Sequence, residues 1–74
     1  MAPATGTVAA IGEEALVGGF GLAGARVLPA GDPAAVRAAW QDLPPGVALV
    51  ILTPAAAAAL VGQDPGRRLV AVLP

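Results

Sequence analysis

Apolar and polar positions along this chain come in blocks rather than residue by residue. Thr7 to Ile11 is a short apolar run without alternation, the pattern of a parallel strand covered on both faces. Gly12 turns the chain, and Glu13 and Glu14 fall in the first turn of a helix, where carboxylates favour the positive end of the dipole. Leu16, Phe20 and Ala23 recur at helical spacing on one face with Gly19 beside them, and Gly24 supplies a stop. Ala25 to Pro29 reads as a second strand that lies at, or ends at, a sheet edge, because proline cannot donate to a ladder. Asp32-Pro33 is an N-cap acceptor followed by proline at the first helical position, and the helix it opens carries one stripe of Val36, Trp40 and Leu43. Pro44-Pro45-Gly46 ends that helix. Val47 to Leu52 is an unbroken aliphatic run suited to a central strand. Thr53-Pro54 repeats the cap-and-proline device for a helix from Ala55 to Val61 closed by Gly62. Asp64-Pro65-Gly66 is turn chemistry, and Leu69 to Leu73 is a last strand.

Strands alternating with helices imply a parallel sheet with right-handed crossovers and helices on both faces. The expected fold is a small flavodoxin-like (Rossmann-like) three-layer α/β domain with a four-stranded parallel sheet in the order 2-1-3-4. It spans residues 1–74 as one domain, with a flexible N-terminus over about residues 1–6. Ligands of such sheets bind at the switch point, here the carboxyl ends of the first and third strands near Gly12, Glu13 and Thr53. Little polar chemistry waits there. Glu13 and Glu14 read as solvated helix-dipole acids, Trp40 as a core residue, and Arg67-Arg68 as a solvated strand entrance. Phe20 could face either the sheet or a partner.

Composition narrows the chemistry. With 74 residues the chain is one small domain, marginal alone and helped by a partner. A net charge of -1 argues against a protein that tracks nucleic-acid phosphates. No His, Cys, Ser, Lys, Tyr or Asn occurs, which removes the usual general bases, nucleophiles, P-loop lysine and common zinc ligands together. No catalytic residue, cofactor or metal ligand is therefore expected. The uncharged stretch from Leu43 to Gln63 is long enough for a hydropathy window, but Pro44, Pro45, Gly46 and Pro54 break a spanning helix. No signal peptide is evident, since no basic region precedes the first apolar run.

The densest information lies between Val8 and Gly24. Glycines at 18, 19 and 21 each cost a helix interior roughly 0.8–1.0 kcal/mol relative to alanine, so they call for a compensating reason such as close backbone packing. Gly19 to Gly24 matches the letters G-x-G-x-x-G, but that fingerprint needs its first glycine directly after a strand, and these glycines fall at the far end of a helix. Receiver domains of response regulators share the strand order and place acids after the first strand. They also need an aspartate ending the third strand and a later lysine, whereas this chain has Thr53 and no lysine.

Ile11-Gly12-Glu13 followed by Gly19-Phe20 and Leu22-Ala23-Gly24 resembles the N-terminal signature of the F subunit of V-type and A-type rotary ATPases, which commonly reads I-G-D/E and then G-F-x-L-A-G. Val50 to Thr53 and Leu69 to Pro74 resemble that family's third and fourth strands. The resemblance implies a non-catalytic rotor part on the central stalk, bound chiefly to the central-shaft D subunit beside other V/A-type ATPase subunits. Such a part couples ATP turnover to proton transport from the cytoplasmic side, peripheral to the membrane. It makes Gly12, Glu13, Gly19, Phe20, Leu22, Ala23 and Gly24 the signature and expected contact residues. Family members commonly continue past the fourth strand along the shaft, whereas this sequence runs to Pro74. The alternatives are a stand-alone flavodoxin-like ligand-binding or regulatory domain and a degenerate fragment of a larger enzyme.

Overall fold

A computed structural model describes residues 7–74, apart from the side chains at 22 and 23. The expectation of a flexible terminus over residues 1–6 thus lies outside the described residues. The four strands are β1 (Thr7–Gly12), β2 (Arg26–Pro29), β3 (Val47–Leu52) and β4 (Leu69–Val72), all parallel, in the order β2-β1-β3-β4. This is the expected flavodoxin-like order. Three helices join them, α1 (Glu14–Val17), α2 (Pro33–Gln41) and α3 (Pro54–Ala59), and α1 runs directly into a 3-10 helix at Gly18–Ala23.

The two caps foreseen from sequence form as expected. Asp32 accepts from the Ala35 N–H at 2.8 Å and Thr53 accepts from the Ala56 N–H at 3.2 Å, each with proline at the head of its helix. Gly24 and Gly62, both with φ of +91°, stop the preceding turns in the left-handed conformation that glycine adopts without penalty.

The first helical segment departs from expectation. A continuous α-helix from Glu13 to Gly24 would put Leu16 and Phe20 on one buried face, but Leu16 is 52% exposed and Val17 is fully buried. Only one turn is α-helical, and the glycine-rich remainder tightens to 3-10 geometry. A repeat of three residues aligns Val17 with Phe20 instead of Leu16 with Phe20. Glycine carries no side chain to favour the wider helix.

Residues paired across the sheet share a face. Ala9 and Val50, with Ile11 and Leu52, point to the side covered by α2 and α3, where they join Val36, Trp40, Leu43, Ala56 and Leu60 in one core cluster. The expected stripe of Val36, Trp40 and Leu43 is buried there. The opposite face carries Val8, Ala10, Leu49, Ile51, Leu69 and Ala71, and α1 and the 3-10 helix pack over β1 and β2. The topology dictates this imbalance. With right-handed crossovers, the β1-to-β2 connection lies on one face while both later connections lie on the other. Leu49 and Ile51 stay only half-buried, and every residue of β4 is exposed.

Trp40 is the largest side chain in that one-sided core. Trp40→Ala should remove about 3–5 kcal/mol, comparable to the whole stability expected of a chain this size at about 0.05–0.15 kcal/mol per residue. The cooperative transition in a far-ultraviolet circular dichroism melt should then be lost at 25 °C or below.

Candidate functional site

The switch point of the sheet is the gap between the carboxyl ends of β1 and β3, and three residues close it. Gly12 ends β1 with φ of +156°, a conformation that side chains disfavour. A Cβ there would lie 2.5 Å from Thr53 Oγ1 and 2.9 Å from Thr53 Cβ, so glycine is required on two counts. Thr53 is fully buried. Its hydroxyl donates to Glu13 Oε1 at 2.6 Å while accepting from the Ala56 N–H, so both functions of the group are satisfied inside the fold. The backbone adds one tie across the same gap, Thr53 N–H to Ile11 C=O at 3.3 Å, and on the other side of β1 the Ala30 N–H donates to the Gly12 C=O at 2.7 Å.

Glu13 therefore differs from the solvated dipole acid expected of it. It occupies the N-cap position of α1 in an extended conformation, and its carboxylate is held by Thr53 40 residues away. The Thr53 hydroxyl, and then the backbone N–H of Glu13 itself, hold the Glu13 carboxyl below its ordinary value of 4.5. Glu14 remains the exposed acid of the first turn.

Beside this latch lies a cleft of about 70 Å³ lined by Glu13, Ala30, Gly31, Asp32, Val36 and Ala56, among others. Ligand pockets span roughly 300–1,000 Å³, so the switch point is closed to a nucleotide. Among the described residues no group of three or more His, Cys, Asp or Glu converges as a metal site. The G-x-G-x-x-G letters fall in the 3-10 helix and its C-cap Gly24, whereas the strand-to-helix turn is at Gly12 and Glu13.

Unlike Gly12, the glycines from 18 to 24 are not forced by close packing inside the domain. A Cβ at Gly18, Gly19 or Gly24 would meet nothing within 4 Å, and one at Gly21 would only touch Val27 Cγ2 at 3.4 Å. Phe20 and Gly24 line a groove of about 520 Å³ with Thr7, Val8, Leu49 and Ile51, on the side of the sheet that the described residues cover only in part. No charged side chain lines it. Of the signature residues, Gly12 and Glu13 thus belong to the latch and Phe20 and Gly24 to the groove, Gly19 stands exposed nearby, and the side chains of Leu22 and Ala23 lie outside those described.

Two features escaped the reading of the sequence. The Glu13 to Thr53 bond had a signal, since the order 2-1-3-4 sets the ends of β1 and β3 side by side. The other is Arg68, expected to be solvated, whose guanidinium stacks 5.6 Å from the Trp40 ring centroid and whose Nη2 donates to the Pro44 C=O at 3.4 Å. No local pattern announces that contact.

The fold and groove define a small flavodoxin-like α/β domain with a narrow, latched switch point and an apolar face that the described residues cover only in part. No protein-family profile, curated protein or solved structure matches the chain.

Two variants test the latch. Gly12→Ala should destabilise the domain by about 2–3 kcal/mol in urea denaturation, from overpacking against Thr53 and backbone strain. Thr53→Val should cost about 1–2 kcal/mol through the lost cap and donor. Because the folded carboxyl of Glu13 titrates below 4.5, its contribution is complete above that pH and disappears as pH falls through the folded value. The acid limb of stability against pH should accordingly flatten in Thr53→Val.

Proposed function

We propose that this domain is a non-catalytic, protein-binding part of a larger assembly, and in particular the F subunit of a V-type/A-type rotary ATPase. In that role it rides on the central-shaft D subunit among the other V/A-type ATPase subunits and couples ATP turnover in the catalytic head to proton transport. It would sit on the cytoplasmic side, peripheral to the membrane. Among the described residues no helix is long and apolar enough to cross a membrane, which is compatible with a peripheral position.

One observation carries the reading. The segment that resembles the rotary-ATPase signature supplies Phe20 and Gly24 to the groove on the sheet face that the described residues leave partly uncovered, where Val8, Leu49 and Ile51 complete an uncharged lining. Parallel sheets are ordinarily covered on both faces, so a half-covered one gains by receiving a partner. Exposed glycines beside the groove favour close approach of a second backbone, as a shaft helix would need. The small-ligand alternative draws less support, because the switch point holds only the narrow cleft beside Glu13.

Coexpression with a V/A-type D subunit should give a stable one-to-one complex on size-exclusion chromatography. Leu49→Asp places a charge in the groove on a half-buried position and should abolish the complex while leaving the circular dichroism spectrum intact. Absence of a complex with the wild-type chain would overturn the assignment.

A further inference from the structure

The two edges of the sheet are protected very differently. The outer edge of β2 carries Arg26 and ends in Pro29, both devices that discourage a further strand. β4 carries none: Leu69–Val72 contains no proline, charge or bulge, and no described strand lies beyond it. Leu69, Val70 and Val72 are 70%, 42% and 51% exposed, which makes this strand the main concentration of exposed large apolar side chains on the described surface. Neither helical layer reaches its outer edge.

From this edge we infer that β4 pairs antiparallel with β4 of a second copy, joining two sheets into one of eight strands about a two-fold axis through Ala71. The register follows from the backbone. Leu73 N–H donates to Leu52 C=O at 2.8 Å, so residues 71 and 73 turn their backbone groups toward β3 and residues 70 and 72 turn theirs outward. An antiparallel pair exchanges two hydrogen bonds between facing outward residues, and a two-fold perpendicular to the sheet requires facing residues to lie on the same face. Centring on Ala71 satisfies both: Val70 faces Val72 of the second copy, Ala71 faces Ala71, and Leu69 faces Leu73. Every facing pair is apolar.

Charge selects the same arrangement. Centring on Val70 instead would set Arg68 opposite Val72 and bring the two arginine pairs closer together. In the Ala71 register the two Arg68 residues stand six strand positions apart, about 20 Å, well beyond the screening length of about 8 Å at physiological salt. Arg68 is in addition held back over Trp40, off the edge. A short strand pair buries little area, so the dimer is a weak one that forms with rising concentration. It uses the outer edge of β4, whereas the proposed shaft contact uses the groove beside Phe20.

Sedimentation equilibrium of the isolated chain from micromolar to millimolar concentration tests the inference. The average mass should climb from the 7.1 kDa monomer toward twice that value. Val72→Pro removes an outward N–H without touching the ladder to β3, and the symmetry loses it twice, so association should weaken roughly tenfold or more. Val70→Lys should act likewise and serves if the proline variant is misfolded by circular dichroism. The chain has no native cysteine, so Ala71→Cys should form a disulfide-linked dimer on mild oxidation, and Leu16→Cys, exposed but off the edge, should not. A wild-type chain that stays monomeric at millimolar concentration overturns the inference. So does a dimer indifferent to both edge variants, or cross-linking at Ala71 no faster than at Leu16.

Discussion

The whole domain depends on burying one face of its two central strands. Ala9 and Ile11 of β1 and Val50 and Leu52 of β3 meet Trp40, Val36, Leu43, Ala56 and Leu60, and this single cluster supplies most of the apolar burial in the chain. Parallel strands gain nothing from a hairpin and are joined only through crossovers, so the sheet exists because α2 and α3 return over that face. Trp40 does the most to fill the space between them. Arg68 then uses the same indole as a platform, tying the entrance of β4 to the core it borders.

A 74-residue chain with three crossovers cannot cover both faces equally. Two helices go to one side, and the other receives a single α turn with a glycine-rich 3-10 extension. The consequence is a division of labour along the sheet. The α2 and α3 side holds the domain together, the opposite side leaves Val8, Leu49 and Ile51 available beside Phe20, and β4 stands free at the edge. At the carboxyl ends, where related architectures commonly place ligands, Gly12 and Thr53 approach so closely that the gap becomes a joint rather than a pocket. Glu13 completes that joint by accepting from the one buried polar side chain of the described core.

Much of this was legible in the order of residues alone. The unbroken aliphatic runs of β1 and β3, the cap-and-proline pairs at Asp32-Pro33 and Thr53-Pro54, and the helical stripe of Val36, Trp40 and Leu43 are local patterns with local causes. Right-handed crossovers then leave few sheet orders to choose from, and the observed order is the one expected. The departures have two causes, one local and one long-range. In the first helical segment three glycines let the backbone tighten, and burial falls on Val17 where an α-helical stripe expects it on Leu16. Glu13 and Arg68 read as solvated in the sequence because their partners, Thr53 and Trp40, are 40 and 28 residues away, where periodicity carries no information.

The amino-acid sequence by itself determined the four strands, the two capped helices, the parallel order and the absence of His, Cys, Ser and Lys, since each follows from side-chain chemistry or from short-range spacing. Tertiary structure alone decided which faces the described elements cover, that Glu13 and Thr53 latch the switch point, and that Gly18, Gly19 and Gly24 have open space where a side chain would stand. Those outcomes depend on how unequal amounts of helix are shared between the two faces. That balance is a property of the assembled layers, and no stretch of the chain contains it.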